Sequence, residues 1–477
     1  MKKQKTVPLS KHLVSLVCVA IIFGGGGILW QKNNDQTAEK AENIEAKNTD
    51  DLKKVHDLYE TLTNNYYKEV PKDELIEGAL KGMTEALGDP YTSYLDQTDA
   101  EELDQSLADS FEGIGASLTI VDKIPQIAQA PIKGTPAEKA GLRVNDQILK
   151  VDGEETAGKE LSEVVSKIRG KKGTEVKLTI QRDKKQFDVT LTRDTIPVET
   201  VHGELDKDHS TIGVIQITSF GESTADELQD TIKDLRKDGA KSFMLDLRQN
   251  PGGLLDQVER MASMFLKNGK AIVKFSDADG IVSTAKAGKD LDDGFKVTEP
   301  VVVLVDGGSA SASEIFAAAL KESADIPVIG TTTFGKGTVQ SVADLGDKSE
   351  IKLTVMKWLT PSGNWIHEKG LKPTIKADFP DYAYLPPLPR NKALKIGQNS
   401  DDVATLNQFL KALGYDTSGE DFTKETQAAV IAIQNAAGLE ATGEVDEQTA
   451  NQIEKQITEK IKGQDGAYLT GIKELTK

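Results

Sequence analysis

The spacing of apolar residues changes along the chain, and each spacing predicts a different kind of structure. Between residues 50 and 110, apolar side chains recur every three or four positions, as at Leu52, Val55 and Tyr59. That period places them on one face of a helix, so this region is predicted to be helical, with a break at GDPYTSYL. Residues 111–195 hold short runs such as VKLTIQR and QFDVTLTR, which predict a small, partly open β-barrel with two helices.

Residues 196–385 alternate longer apolar runs with amphipathic segments. The runs TIGVIQITS, KSFMLDLR, PVVVLVDG and DIPVIGTT have the continuous apolar character of strands that are buried on both faces. Helices are predicted between and after them, at 223–237, 254–267 and 311–323. This region is therefore predicted to be a mixed α/β core.

A separate helical unit is predicted after this core, from 390 to 454. Its three segments each begin with a turn and carry an apolar stripe, so we expect a small three-helix domain. Residues 455–477 also have a helical pattern, but the pattern assigns them no role. The chain as a whole is thus predicted to be a multidomain α/β protein.

The longest apolar run, HLVSLVCVAIIFGGGGILW, occupies residues 12–30 and follows four lysines in the first eleven positions. At about 1.5 Å per residue, a helix of this length comes close to spanning a hydrocarbon layer of roughly 30 Å. The positive flank predicts a cytoplasmic N-terminus, which makes residues 1–30 a cytoplasmic tip and a single-pass signal anchor in the cell membrane. Residues 31–49 are polar and predict a flexible tether, with the rest of the chain on the extracytoplasmic side. A cleaved signal peptide is the alternative.

The composition limits the partners and the chemistry. A net charge of -18 over 477 residues repels phosphates, so nucleic acid is excluded as a partner. Cys18 is the only cysteine, which excludes an intrachain disulfide and a zinc site built on thiolates. We therefore expect neither a metal nor another cofactor.

The segment GGSASASEIFAAAL, from 307 to 320, sets three serines between a glycine turn and a helix. Ser311 and Glu314 fit a capping box, in which the serine side chain satisfies an open backbone N–H, and this structural role is one interpretation. The other interpretation is a nucleophile, which needs a base. None of the five histidines is tied to a G-x-S-x-G nucleophile elbow, because the serine segment lacks that motif.

Lys336 offers a different base, since it lies between two glycines soon after a predicted buried strand. A lysine is ordinarily protonated, but burial among apolar groups penalises the charged form and can lower its pKa by several units. The apolar residues expected around it are Ile329, Phe334 and Val339. A neutral amine can accept the proton of Ser311, and Gln340, on the same face of an extended segment, can orient that amine.

A third segment, KSFMLDLRQNPGG, ends a predicted strand at the paired glycines Gly252 and Gly253. Such a pair leaves a backbone N–H free to point at a ligand, and the start of the helix supplies another at Ala312. One of the two glycines together with Ala312 is therefore a candidate oxyanion hole. A simple β-turn is the alternative.

Three short motifs occur in order in the barrel region: Phe111-Glu112-Gly113-Ile114-Gly115, Gly134-Thr135-Pro136-Ala137 and Gly141-Leu142-Arg143-Val144-Asn145-Asp146. They resemble the motifs of a PDZ domain. The resemblance implies that Gly113, Ile114 and Gly115 hold the carboxylate of a C-terminal tail, while the next strand edge pairs with the tail itself. A β-barrel without a ligand is the alternative.

Matching positions also occur in the C-terminal helical unit: Leu394, Gly397, Val403, Leu406, Leu410, Leu413-Gly414-Tyr415, Phe422, Thr426, Ala429-Val430, Gln434, Gly438-Leu439, Gly443 and Asp446-Glu447-Gln448-Thr449. This set resembles a peptidoglycan-binding module of the three-helix type, which implies peptidoglycan as a partner. Most of these positions are of the core or capping kind, so they indicate the fold better than the ligand.

Six motifs agree in order and spacing with one further family: Asp89-Pro90-Tyr91-Thr92-x-Tyr94, Asp246-Leu247-Arg248-x-Asn250-x-Gly252-Gly253, Ser309-Ala310-Ser311-Ala312-Ser313-Glu314, Thr333-Phe334-Gly335-Lys336-Gly337-x-x-Gln340, Thr360-Pro361-Ser362-Gly363 and Gly370-Leu371-x-Pro373. They resemble the carboxyl-terminal processing proteases of the tail-specific, Ser-Lys type, from about 50 to 380. The residues that this resemblance implies for catalysis are Ser311 as nucleophile, Lys336 as base, Gln340 as third member, and Gly252 or Gly253 with Ala312 as oxyanion donors.

The same resemblance implies a serine endopeptidase whose PDZ domain brings protein substrates to the site by their C-terminal tails. Arg169, at the end of a predicted helix, is a candidate sensor of the docked PDZ domain, and a helix-end cation is its alternative. A non-catalytic adaptor that binds tails and cell wall is the rival function. A homodimer is left open as the assembly.

Overall fold

The structure, a computed structural model, describes residues 52–121, 123–277 and 279–477. The predicted anchor at 12–30 and the tether at 31–49 lie outside the described residues. Within the described ranges, no helix combines the length and the apolar character that crossing a bilayer requires.

The N-terminal region is helical, as its apolar period predicts, with one short strand added. Its elements are α1 (Lys53–Asn65), α2 (Lys72–Glu85), β1 (Ser93–Leu95) and α3 (Gln97–Leu107). The strand falls inside the GDPYTSYL break, and its Tyr94 pairs with Ile351 of the α/β core. This pairing carries the residues just before β1 onto the core.

The barrel region forms as predicted, with two short helices among its strands. Its elements are β2 (Ser110–Gly113), β3 (Leu118–Val121), β4 (Ile124–Ile127), α4 (Pro136–Lys139), β5 (Gln147–Val151), β6 (Glu154–Glu155), α5 (Leu161–Ile168), β7 (Glu175–Arg182), β8 (Lys185–Thr192) and β9 (Asp194–Pro197). Alternate residues of β7, Val176, Leu178 and Ile180, are completely buried, because successive side chains of a strand point to opposite faces. The antiparallel strand order β3-β4-β5-β7-β8 leaves β3 at one edge, next to α5.

The four predicted buried strands and the three predicted helices of the α/β core are confirmed. The core elements are β10 (Val201–Leu205), β11 (Ile212–Ile217), α6 (Thr224–Lys237), β12 (Ser242–Asp246), α7 (Leu255–Phe265), β13 (Ala271–Asp277), β14 (Gly280–Lys286), α8 (Lys289–Asp292), β15 (Val301–Val305), α9 (Ala312–Ala324), β16 (Val328–Gly330), β17 (Thr338–Asp344), β18 (Glu350–Leu359) and β19 (Ile375–Lys376). They build two sheets.

The central sheet has the order β10-β11-β12-β15-β16-β19, and its strands are parallel from β11 onward. Its two faces have separate cores. Phe243 and Leu245 pack with the helices α6, α7 and α9, whereas Met244 between them belongs to the core on the opposite face. The second sheet is antiparallel, in the order β1-β18-β13-β14, with β17 also paired to β18.

The C-terminal helices form a unit with its own core, as expected. The unit contains a short 3-10 helix (Asp381–Tyr384), α10 (Asp401–Ala412), α11 (Lys424–Ala437) and α12 (Glu447–Lys462). Ser400, Thr423 and Asp446 cap the three α-helices, because their side chains accept backbone N–H groups of the first turn.

The last helix, α13 (Gly466–Leu475), leaves that unit and covers the open face of the central sheet. Its Ala467 and Ile472 pack in one core with Met244, Leu304 and other strand residues. The three-helix unit is therefore inserted between β19 and α13, and both of its ends are attached to the α/β core. The sequence pattern predicted this helix without its role.

A charge on the buried side of α13 tests this docking. Ala467 is 4% exposed, so Ala467→Glu places a carboxylate against the sheet and should cost about 2–4 kcal/mol of unfolding free energy. Leu469 is 54% exposed on the same helix, and Leu469→Glu should change stability by no more than about 0.5 kcal/mol. Urea unfolding and hydrogen exchange at β12 and β15 measure both variants. Equal effects would contradict the docking.

Candidate active site

The three serines of the turn between β15 and α9 occupy different environments. Ser309 and Ser313 are fully buried, and their hydroxyl groups donate to the carbonyls of Leu247 and Asn250 at 2.8 and 2.9 Å. Both side chains therefore hold the turn against the segment that follows β12. Ser311 is only partly buried, so its hydroxyl is the one that a substrate can reach.

The backbone of Ser311 is strained. Its φ of 54° and ψ of −114° lie in a region that residues with a side chain rarely occupy, at a cost of about 1–3 kcal/mol. Gly252 packs directly against it. A Cβ atom at Gly252 would lie 2.9 Å from the Ser311 Cβ and 2.8 Å from the Ala310 carbonyl oxygen. The turn and the glycine loop after β12 are thus in contact, and the loop has no room for a side chain at this position.

The predicted capping box of Ser311 and Glu314 is present mainly on the glutamate side. The backbone N–H of Ser311 donates to Glu314 Oε2 at 2.9 Å. The reciprocal pair consists of the Glu314 N–H and the Ser311 hydroxyl oxygen. These two groups are placed as in a capping box, but they do not form a side-chain cap hydrogen bond. The hydroxyl is therefore not committed to the helix as a capping role alone would require.

Of the two candidate glycines in the oxyanion hole, Gly252 has its N–H already engaged. That N–H donates to Asn250 Oδ1 at 2.9 Å, and the fully buried Asn250 side chain donates in turn to the Ile217 carbonyl at 2.8 Å. Asn250 thus stabilises the loop. In this arrangement Gly252 contributes close packing rather than a free donor.

Gly253 and Ala312 have backbone N–H groups that are better placed to serve a ligand. Gly253 bridges to Phe220, but the bridge uses the carbonyl of Gly252 and the N–H of Leu254, which leaves the N–H of Gly253 out of it. Ala312 is the first residue of α9, where an α-helix has no internal acceptor for the N–H. These two N–H groups are the remaining candidates for oxyanion donors among the predicted residues.

Lys336 lies in the segment between β16 and β17 and is held through its backbone. Its N–H donates to Glu314 Oε2 at 2.8 Å, and its carbonyl accepts the indole N–H of Trp358 at 2.8 Å. Its amino group lies 4.9 Å from the centre of the Tyr91 ring, on the face of that ring. The backbone is thus fixed while the amine lies against an aromatic surface.

The apolar surroundings of Lys336 differ from the prediction. Phe334 is 57% exposed, and Ile329 packs with α13 on the far face of the central sheet, so the prediction was wrong for both. Tyr91 takes their place, because the pairing of β1 with β18 brings its segment over the lysine. Nothing in the local pattern around Lys336 points to a residue so distant in the chain.

Burial lowers the pKa of the Lys336 amine, and the positive charge of Lys352 lowers it further. The carboxylates of Asp89 and Glu314 act in the opposite direction, but they do not reverse the shift. A lowered pKa increases the fraction of neutral amine, which is the form that can accept a proton.

Gln340 does not make the predicted contact with Lys336. Its amide nitrogen donates to the hydroxyl groups of Thr338 and Thr354, at 3.0 and 3.1 Å. The prediction assumed a regular strand, in which residues four apart share a face. β17 begins only at Thr338, so Lys336 and Gly337 lie before the strand and the extended segment that the prediction assumed does not reach the lysine.

His367 and Trp365 hold the glycine that follows the lysine. The Gly337 N–H donates to His367 Nδ1 at 3.2 Å, and the Trp365 indole N–H donates to the Gly337 carbonyl at 2.8 Å. The two rings stack with their centres 5.1 Å apart. A histidine therefore holds the backbone of Gly337, the residue next to the candidate base, and no spacing in the sequence indicated this contact.

The predicted peptide-binding residues lie at the end of β2, where Gly113 is the last residue, and in the connection that holds Ile114 and Gly115 and leads to the edge strand β3. Gly115 has a φ of 79°, and a Cβ there would lie 2.4 Å from Thr135, so only glycine fits. Arg169 follows α5, and its guanidinium carbon lies 4.8 Å from the centre of the Phe111 ring in β2. The Gly113–Gly115 segment, β3 and α5 are thus neighbours, as a groove for an extended peptide requires.

Four family models match the chain, and together they extend over most of it. They are those for peptidase family S41 at residues 211–377, a PDZ domain at 127–182, a putative peptidoglycan binding domain at 399–453, and the N-terminal domain of the activating protease CtpB at 16–99. The first three coincide with the α/β core, the barrel and the C-terminal helical unit.

Curated relatives match over nearly the whole length. The carboxy-terminal processing protease CtpA of Bacillus subtilis (strain 168) is 42% identical over 473 residues, which is 99% of this chain and 98% of that protein. CtpB of the same organism is 40% identical over 468 residues, covering 94% and 95% of the two chains. Among solved structures, the photosystem II D1 C-terminal processing protease is 30% identical with a TM-score of 0.41, covering 66% of this chain and 86% of its own.

The charge on Lys352 provides a test of the electrostatics around Lys336. Because this charge lowers the pKa of Lys336, Lys352→Gln should raise that pKa toward the ordinary lysine value. An NMR titration of the Lys336 side chain measures the change. Lys348→Gln, on the exposed turn of the same β17–β18 hairpin, is the matched control and should leave the pKa as it is. An unchanged pKa in Lys352→Gln would contradict the assignment.

Proposed function

Because this chain belongs to the carboxy-terminal processing proteases of peptidase family S41, we propose that Ser311 and Lys336 are its catalytic pair. As a member of that family, the chain is a serine-type protease with a PDZ domain. One observation carries the assignment of the pair. A single oxygen of Glu314 accepts the backbone N–H groups of both residues, at 2.9 and 2.8 Å, so their backbones lie within two hydrogen-bond lengths of each other.

The proposed reaction begins with the neutral amine of Lys336, which takes the proton from the Ser311 hydroxyl as its oxygen bonds to a peptide carbonyl carbon. The carbonyl oxygen becomes an oxyanion. When the peptide C–N bond breaks, the Lys336 ammonium returns the proton to the leaving nitrogen. Water then gives a proton to the Lys336 amine as its oxygen bonds to the ester carbon. When the ester C–O bond breaks, the Lys336 ammonium returns that proton to the Ser311 oxygen, which restores the hydroxyl and the neutral amine.

The oxyanion is held by the backbone N–H groups of Ala312 and Gly253 in this proposal. The start of α9 favours negative charge at Ala312, since the helix dipole is positive there. Gln340 takes the third place in the site by the family resemblance. The hydrogen bond from its amide to Thr354 supports an indirect role, in which it braces the strand that follows Lys336.

The PDZ domain selects the substrate in this proposal. A C-terminal tail adds to the edge of β3, and its carboxylate meets the backbone of Gly113, Ile114 and Gly115. Arg169 contacts β2 through Phe111, and this contact supports a role in sensing the occupied domain. The substrates are proteins whose tails are exposed and unfolded enough to be bound as a strand.

We also propose where the enzyme is located and how it is tethered. The apolar run at 12–30 tethers the enzyme to the cell membrane, with the catalytic portion on the extracytoplasmic side. The C-terminal helical unit then faces the cell wall, where it binds peptidoglycan. A homodimer is compatible with this arrangement.

Removing either member of the pair should abolish proteolysis. Ser311→Ala and Lys336→Ala should each lower the rate of cleavage of a loosely folded protein by about a thousandfold or more, because neither residue can act without the other. Ser362→Ala and Lys348→Ala make the same changes at exposed positions and should retain activity. Mass spectrometry of the fragments, with thermal unfolding as a folding check, decides the matter. A folded variant of the pair with normal turnover would reject the assignment.

The tail of the substrate should determine how fast it is cleaved. The same loosely folded protein with its native C-terminal tail should be cleaved faster than a version with the tail blocked, because the tail anchors the chain at β3. Fragment yields over time measure the ratio. Equal rates for the two substrates would remove the PDZ domain from substrate selection, and an absence of fragments from both would favour a non-catalytic adaptor.

A further inference from the structure

Glu314 carries more hydrogen bonds than a helix cap needs. The side chain is completely buried, and its carboxylate accepts four donors. Oε2 accepts the N–H groups of Ser311 and Lys336, and Oε1 accepts the Gly335 N–H at 2.7 Å and the Thr333 hydroxyl. A capping box accounts for the first of these bonds only. The other three come from the segment between β16 and β17.

These four donors match what a buried carboxylate requires. An ionised carboxylate presents about four acceptor sites, and burial is costly unless they are filled. Backbone N–H groups that point at a charge make stronger hydrogen bonds than neutral pairs do. The acceptor sites of this carboxylate therefore stay filled only while both segments remain in place around it.

The strain at Ser311 shows why such a link is needed. A residue at φ 54° and ψ −114° stays there only if its surroundings hold it, and the hydrogen bond from its own N–H to Glu314 is one of the contacts that do so. The same oxygen fixes the backbone of Lys336. A movement of either segment would break hydrogen bonds that the other segment shares.

We propose that Glu314 is a positioning residue for the catalytic pair: its ionised carboxylate links the nucleophile turn to the lysine segment and sets the distance between Ser311 and Lys336. It contacts no substrate atom in this role and takes no proton. The inference rests on the proposed function of the pair and goes beyond it by assigning the geometry of that pair to one buried charge.

The charge of Glu314 also acts on the base. It is one of several charged or polar groups around Lys336, together with Lys352 on β18, Asp89 and Tyr91 before β1, and His367 beside Gly337. Burial and Lys352 lower the pKa of the amine, whereas Asp89 and Glu314 raise it. Loss of the Glu314 charge therefore lowers the pKa of Lys336, whereas loosening the site to water would raise it.

Glu314→Gln in the full chain tests the proposal. The amide has the same size but carries no charge, and its NH₂ group faces backbone N–H donors instead of accepting from them. We expect kcat at the pH optimum to fall at least tenfold with KM changed less than twofold. We expect the acid limb of the kcat profile to move to lower pH. Glu322→Gln makes the same change at the far end of α9, where the side chain accepts the Ser362 N–H, and should leave that limb in place.

A purely structural role would give a different result. An unchanged kcat in Glu314→Gln, or an acid limb that moves to higher pH, would overturn the proposal. If this variant does not fold, Thr333→Val removes one donor and keeps the charge. Thr333→Val should lower kcat without moving the acid limb of the kcat profile to lower pH. Thr333→Ser should recover most of the lost rate. Equal kcat values for Thr333→Val and the unchanged chain would also overturn it.

A measurement without turnover separates this proposal from the assignment of the pair. The pKa of Lys336, followed by NMR in Ser311→Ala with and without Glu314→Gln, should fall when the carboxylate is lost. If the unchanged chain cleaves nothing, the proposed function fails while this titration still tests the link. If the chain cleaves proteins but the pKa of Lys336 does not fall in Glu314→Gln, the electrostatic effect of Glu314 on Lys336 is rejected while the catalytic pair is retained.

Discussion

The amine of Lys336 can act as a base only where water cannot stabilise its charged form. Hydration strongly favours an ammonium group, so removing water shifts the equilibrium toward the neutral amine. The face of the Tyr91 ring excludes water on one side of the amine, and the carbonyl contact with Trp358 keeps the backbone beneath it fixed. Two carboxylates nearby, those of Asp89 and Glu314, act against this lowering of the pKa, because each favours the charged form. The pKa of this candidate base is therefore set by desolvation and by nearby charges, and the fold determines both.

The central sheet brings the three segments of the candidate site together by its strand order. β12, β15 and β16 are neighbours and run parallel, so their carboxyl ends meet at one edge. The glycine loop follows β12, the turn that holds Ser311 follows β15, and the segment that holds Lys336 follows β16. Ligand sites of open parallel sheets lie at this edge for the same geometric reason. Glu314, in the first turn of α9, then connects the segments that hold Ser311 and Lys336.

Much of this arrangement could be predicted from the sequence, because it follows from local patterns. The strands around Met244 and Val303 show as continuous apolar runs, and the turn at Ser311 shows as a glycine pair before a helix start. Lys336 stood out because a lysine between glycines after a buried strand has no obvious structural use. These features depend on neighbours in the chain, which is what a sequence displays directly.

The parts that could not be predicted depend on contacts between distant segments. Tyr91 reaches Lys336 only because β1 pairs with β18, and a three-residue strand gives almost no periodic signal. The contact predicted for Gln340 depended on where the extended segment begins. β17 begins only at Thr338, after Lys336, and the boundary of a strand is the part that a sequence pattern defines least well. Glu314 was visible as a cap, but its three other donors come from the segment that follows the neighbouring strand β16. The exact contacts of a site therefore cannot be predicted from the sequence where pairing between distant segments determines them.

The last helix, α13, links the end of the chain to the strand that leads into the candidate site. Arg248 follows β12 and leads into the glycine loop, and its guanidinium lies between Asp246 and Asp465, at 2.6 Å from each. Asp465 also begins α13, where its carboxylate accepts the N–H of Tyr468. The end of the chain therefore holds the strand end from which the candidate oxyanion loop starts. Since the three-helix unit lies between β19 and this helix, the unit is joined at both ends to the sheet that builds the site. The peptidoglycan-binding-like unit is consequently an insertion in the catalytic core and not an appendage at its end.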